Sequence, residues 1–227
     1  MNKPILCAGR LYCDLVFTGA PRLPSMGTEV FAEGLSLHAG GGAFITAATL
    51  SALGLQAAQC ATLPAAPFDA VVKAELARHA IATDATLAAA RGSDPQITVA
   101  MTGPQDRAFL TRVDGPALPP LETVDFAAYS HLHIGELRTL QDYPVLLDHA
   151  RDNGLTISLD CGWQDTFSSG VSDLIAGVDV FLPNESEAQA LGNFTAALTV
   201  IKCGANGAKA RARGQTDWTS APATPTI

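Results

Sequence analysis

Charge is scarce in this sequence: Asp, Glu, Lys and Arg together make up 16% of the residues, well below the roughly 25% usual for soluble domains. With 48% of residues apolar, much of the chain must be buried, and 227 residues suffice for one large domain with a sizeable core. Runs of adjacent basic residues are missing as well. None of the 14 Lys and Arg falls in a run and the formal net charge is -8. That excludes a general nucleic-acid binder, because phosphate contacts need concentrated positive charge.

Paired cysteines are also absent. Cys7, Cys13, Cys60, Cys161 and Cys203 are scattered with no C-x-x-C, which fits neither a zinc site nor a disulfide framework. Reduced thiols and a cytoplasmic location are therefore expected. No long hydrophobic run occurs near the N-terminus, where Gly9, Arg10 and Asp14 break the apolar stretch. The run is too short for a signal segment or a membrane span, so no membrane partner is expected. Repeats and separating linkers are lacking, and a single domain over residues 1–227 is the expectation.

What is present is alternation. The runs PILCAG, QAAQCATL, QITVAM, SHLHIG, LTISLD, VDVFLP and LTVIKC are separated by helical patterns, as in an α/β fold whose mostly parallel sheet is covered by helices. The strands are almost continuously apolar, which predicts burial on both faces. Phe68, Val71, Val72 and Leu76 stand at helical spacing, and a similar stripe predicts one helix near 140–152. Two regions depart from the alternation: LYCDLVF with EVFAEGLSL, and ITVAMT with AFLTRV around Pro104-Gln105-Asp106. These predict strands off the main sheet, within about 11–37 and 97–113, that form a small β lid. AKARARG followed by QTDWTSA predicts a hairpin turning at Gly214.

Several stretches can carry chemistry. Gly40, Gly41 and Gly42 precede the apolar helix pattern AFITAATL. Glycines at a helix start let backbone N–H groups approach an oxyanion, although a flexible turn before a buried helix reads the same residues equally. In FLPNESEAQAL, Asn184 and Glu187 have the spacing of a capping box, the simpler reading of the residues alone. Glu185 is left unexplained by it, and a loop at the carboxyl end of a parallel strand is also where ligands bind, where carboxylates organise Mg²⁺ through water. His131 and His133 share one face of a strand; packing or hydrogen bonding outweighs a metal pair, since no third ligand lies nearby. Glu136 and Asp160 fall just past strand ends, well placed for ligand contact. Asp14 interrupts an apolar β run and needs a partner if buried, which a polyhydroxylated ligand supplies.

Taken in order, an early strand Asp, a Gly-Gly helix start, a strand-end Asn-Glu-x-Glu and V-I-K-C-G-A-N-G-A resemble the ribokinase-like (PfkB) carbohydrate kinases over essentially the whole chain. The resemblance implies a three-layer α/β/α architecture with a mostly parallel sheet and a small β lid. It implies ATP and Mg²⁺ as cofactors, a small sugar or sugar-like substrate, and a homodimer paired through the lid. By matching positions, Asp14, Gly40, Gly41, Glu136 and Asp160 look like substrate-binding residues. Asn184, Lys202 and Gly204 look like nucleotide-binding residues, and Glu187 with Glu185 like the metal-side carboxylates.

Departures accompany the resemblance. Ala43, Phe44 and Ile45 stand where the family often reads Gly-Ala-Asn, and PAAPFDA replaces a common Gly-x-Asp-x-x-Gly turn. The family's Gly-Ala-Gly-Asp motif, which carries the catalytic Asp, occurs nowhere in the 227 residues; by alignment it is expected beyond Ile227. The domain is therefore expected to be incomplete at its C-terminus, with no catalytic base present and no phosphoryl transfer by this chain alone. Two alternatives stand beside the sugar kinase. One is a catalytically silent sugar-binding protein; the other is a nucleoside kinase, which Phe44 and Ile45 favour through base packing.

Overall fold

The computed structural model describes residues 3–103 and 107–224. The chain divides into two compact units, Met1–Gly9 with Asp125–Ile227 as the first and Arg10–Val124 as the second. Strand β1 (Ile5–Ala8) opens the first unit.

The second unit begins with β2 (Tyr12–Thr18) and β3 (Gly34–Gly40), followed by α1 (Gly42–Ala52), β4 (Ala57–Thr62), α2 (Asp69–Arg78), β5 (Thr86–Leu87), β6 (Ile97–Thr102) and β7 (Arg107–Arg112). A four-stranded sheet of order β3-β2-β6-β7 gathers the four stretches read as lying off the main sheet. Strand β3, in the second of these stretches, begins later than expected, at Gly34, and the turn around Pro104-Gln105-Asp106 lies outside the described residues. Register gives this sheet two unlike faces. Asp14 pairs with His38 and Thr98 on one face, whereas Leu15 pairs with Leu37 and Val99 on the other. Helix α1 buries Ala43, Phe44 and Ala47 and stops at Gly54, whose φ of +80° suits a residue without Cβ. Helix α2 buries Val72 and Leu76, four residues apart on one stripe. Strand β4, buried along its whole length, pairs in parallel with β5.

The first unit resumes with β8 (His131–Ile134), α3 (Leu137–Asp142), α4 (Leu146–Asp152), β9 (Thr156–Asp160), α5 (Val171–Ala176), β10 (Val180–Leu182), α6 (Glu185–Leu191), β11 (Leu198–Lys202), β12 (Ala208–Ala212) and β13 (Thr219–Ala221). Its strands run in the order β13-β12-β11-β10-β9-β8-β1. Pairing is parallel from β1 to β11, then antiparallel through β12 and β13. The fold class is thus α/β with a large, mostly parallel sheet. Leu6, Leu132, Ile134, Ile157, Leu159 and Phe181 have no exposed surface, each side chain contributing roughly 2 kcal/mol of burial.

Where one helix was expected near 140–152, Pro144 splits the stretch into α3 and α4. Its ring forces Tyr143 out of the helical region, to φ -132° and ψ 63°. The polar positions of the sheet interior pair with one another. His131 Nδ1 and Nε2 lie 2.6 and 2.7 Å from the Thr156 and Ser158 hydroxyls, and His133 Nδ1 lies 2.9 Å from Ser158. The histidines are therefore part of the strand packing. All five cysteines are free thiols, and burial pushes Cys7, Cys60 and Cys161 up to about 12, far from reactive thiolates. Among the described residues no helix is long and apolar enough to cross a membrane.

Candidate active site

In the second unit, the substrate-side candidates Asp14, Gly40 and Gly41 come together because β2 and β3 pair up to the start of α1. A Cβ on Gly40 would overlap the Asp14 carboxylate, and one on Gly41 would overlap the Arg10 carbonyl. Gly41 also holds φ at +104° as the residue preceding α1. Both positions are therefore glycine for steric reasons. Burial pushes the Asp14 carboxyl above the ordinary range, opposed by a hydrogen bond from Thr98 and by the nearby His38. The Thr98 hydroxyl in turn lies 3.2 Å from that of Thr111. A half-buried carboxylate beside bare glycine backbone is suited to accept hydroxyl hydrogen bonds from a compact polyol. Phe44, by contrast, is 5% exposed and packs edge-on against His79 at 6.0 Å. Its ring belongs to the core, which removes one of the two residues that favoured base packing.

In the first unit, the carboxyl ends of β8 to β11 collect most of the remaining candidates. Lys202 Nζ donates to both oxygens of Asp160, at 2.6 and 2.8 Å, and its backbone bridges to Asn184. Asn184 caps α6: the Glu187 N–H donates to Asn184 Oδ1 at 2.8 Å, and the Asn184 N–H donates to Glu187 Oε2 at 2.7 Å. The capping box foreseen in the sequence is thus formed, and it uses one oxygen of Glu187. Glu187 is 6% exposed; burial raises its pKa, while the Asn184 N–H and Lys202 pull it down. Glu136, at the end of β8, accepts from the Thr139 hydroxyl at 2.9 Å and stands against Gly162, where a Cβ would come within 3.3 Å of its own. Gly204, with φ +55°, opens the tight turn after β11 that closes through Cys203 N–H to Gly207 O at 2.8 Å.

Glu185 does not join its neighbour. Two residues apart on a helix, the carboxylates of Glu185 and Glu187 cannot face the same way; that of Glu185 lies 3.9 Å from Lys209 Nζ and is 57% exposed. No group of three or more His, Cys, Asp or Glu able to hold a metal occurs among the described residues. This donor set suits Mg²⁺, which keeps most of its waters and takes one or two carboxylates together with substrate phosphates. Glu187, beside Lys202 and Asp160, is the carboxylate that fits. Thr98 and Gly162, which complete the surroundings of Asp14 and Glu136, gave no signal in the sequence, since each acts through a partner distant along the chain.

A family model described as pfkB family carbohydrate kinase matches residues 10–215. The chain belongs to the PfkB carbohydrate kinase family. Solved structures carry the same ribokinase-like fold: a PfkB protein from Polaromonas sp. JS666 superposes with TM-score 0.75 at 20% identity, covering 98% of this chain and 83% of that one. A ribokinase from Cryptococcus neoformans var. grubii serotype A, solved with ADP, gives 0.81 at 17%, covering 99% and 80%. The fructokinase of Halothermothrix orenii gives 0.78 at 17%, covering 97% and 86%. No curated protein matches by sequence. Within this PfkB chain Gly40 and Gly41 sit in the second unit, and the Asn184–Glu187 cap with Lys202 in the first.

Proposed function

We propose that this PfkB-family chain binds MgATP and a small sugar or sugar-like polyol, in the arrangement used to transfer the γ-phosphoryl group to a substrate hydroxyl. The observation that carries the reading is the cap on α6. Its hydrogen bonds hold Glu187 in one geometry beside the Lys202–Asp160 pair, so a carboxylate and an ammonium are preorganised where a metal-bound polyphosphate needs them. Lys202 is 46% exposed, and an ion pair that open to water is worth at most about 1 kcal/mol. Exchanging Asp160 for a phosphate oxygen is therefore cheap. Mg²⁺, when bound, neutralises charge on the phosphate oxygens. Asn184 and Gly204 complete the nucleotide side; in the second unit Asp14, Gly40 and Gly41 are assigned to the sugar, with Asp14 accepting from a hydroxyl, and in the first unit Glu136 and Asp160 are assigned to it as well.

Calorimetric titration tests the division of labour. Asp14→Ala is expected to weaken sugar binding at least tenfold and leave nucleotide affinity unchanged, and an equal loss of both would refute the assignment. Glu187→Gln keeps an oxygen able to cap, so the fold should survive while the Mg²⁺ dependence of nucleotide binding falls. Mg²⁺ dependence unchanged in that variant would leave Glu187 as a cap alone.

A second reading, a binding protein that does not transfer, applies to residues 1–227 taken by themselves, in which no Gly-x-Gly-Asp occurs. Positioning without a proton acceptor and its neighbouring donors leaves little catalysis. Residues 1–227 by themselves should bind both ligands yet release no ADP above the uncatalysed rate in a coupled assay.

A further inference from the structure

We propose that a small, partly open cavity in the second unit binds a small neutral aliphatic molecule carrying a hydroxyl or carbonyl oxygen, which acts as an effector at the root of the four-stranded sheet. The chamber has a volume of about 180 Å³ and aliphatic walls that include Leu63, Leu87, Ala89 and Pro116. Of its polar lining residues, Thr62 and Gln96 are the buried ones. Thr62 is 4% exposed, and its buried hydroxyl has no hydrogen-bond partner among the described residues. Gln96 is 2% exposed, and its oxygen accepts from Arg10 at 2.7 Å. A buried hydroxyl left unpaired is uncommon in a folded protein and calls for a partner.

The chemistry of the partner follows from the lining. A Thr hydroxyl and a carboxamide NH₂ both donate, so they select an acceptor oxygen. Asp94 and Asp114 also line the chamber, and both are held by Arg112 at 2.7 and 3.6 Å. Their carboxylates disfavour an anion. Arg10 is committed to Gln96 and to the Gly115 carbonyl at 3.1 Å. At about 30 Å³ per water the chamber matches roughly six waters, the size of a short organic molecule.

Its position gives an occupant leverage. Thr62 ends β4 and donates its N–H to the Ala117 carbonyl at 2.8 Å, while the Gln96 carbonyl accepts from Cys13 N–H at 3.1 Å, one residue before Asp14. An occupant therefore joins β4 to the roots of β6 and β7, and by linkage any effect on the sheet is reciprocal. The coupling to substrate rests on the role proposed above for Asp14; binding in the chamber does not.

Propionamide and propionate, alike in shape but not in charge, are the probes, followed by two-dimensional NMR of the ¹⁵N-labelled chain. Propionamide should shift the amides of Leu63, Leu87, Ala89 and Gln96 saturably in the millimolar range and slow amide exchange in β6; propionate should do neither. Thr62→Val should weaken binding about tenfold, the loss of one hydrogen bond between uncharged groups. Ala89→Leu should fill the chamber and abolish binding with the melting temperature retained. No shift at about 100 mM propionamide, an equal response to propionate, or unchanged affinity in Thr62→Val overturns the site. Shifts without slower exchange in β6 overturn its effector role.

Discussion

At the scale of single residues, a Cβ on Gly41 would meet the fixed Arg10 carbonyl at φ +104°, whereas one on Gly40 would meet the Asp14 carboxylate, which can move. Gly40→Ala should displace Asp14 and cut sugar affinity at least tenfold in calorimetry, with nucleotide affinity unchanged. His133 is constrained differently. It is 4% exposed, and burial lowers its pKa from 6.5 to about 4, so the folded chain holds it neutral while the unfolded chain takes up a proton. The unfolded state binds more protons below the unfolded pKa, so this contribution is present above pH 6.5 and is lost as pH falls toward 4. The loss is on the order of 3 kcal/mol. Urea titrations should show wild-type stability falling across that window and His133→Asn falling less. His131, also lowered by burial, contributes in the same direction.

At the scale of elements, α6 depends on its first turn. It has seven residues, too few to be stable in isolation, and the Asn184–Glu187 box supplies partners for backbone donors at its start. Asn184→Ala should cost about 1 kcal/mol in denaturant unfolding and also weaken Mg²⁺-nucleotide binding, since Glu187 loses its anchor. A stability loss with unchanged nucleotide affinity would separate the cap from the site. Strand β10 is anchored by Asp179, whose carboxylate accepts from Ile157 N–H at 2.6 Å and from Arg151 at 2.9 and 3.1 Å.

At the scale of the whole molecule, the four-stranded sheet is the feature with most consequence for assembly. The face opposite Asp14 carries Leu35, Leu37 and Leu110, exposed by 55%, 42% and 70%, with Phe17, Leu15 and Val99 as their register partners. We propose that this face pairs with a second copy of the chain, because a contiguous apolar patch is otherwise an association liability. Sedimentation should give a dimer at micromolar concentration, and Leu37→Lys should give a monomer of unchanged melting temperature. A wild-type monomer would end that proposal.

Much of the architecture was legible along the chain because it is written in local periodicity. The apolar runs ILCA, HLHI and TISLD mark buried parallel strands whatever surrounds them, and Asn184 with Glu187 form a cap from residues three apart. Pro144 was visible as a breaker, yet the stripe on either side of it suggested one helix. Side-chain roles that depend on distant partners were not legible. Thr98 reaches Asp14 only once β2 and β6 align in parallel, and Glu185 meets Lys209 only once β12 has paired with β11. Sequence alone determined the family, through its resemblance to the PfkB kinases, and the strand and helix types, through local spacing, with an acid present at residue 14. Tertiary structure decided which carboxylate pairs with which cation and which glycine lies under which carboxylate. Such contacts are set by strand register and packing, to which no single stretch of chain has access.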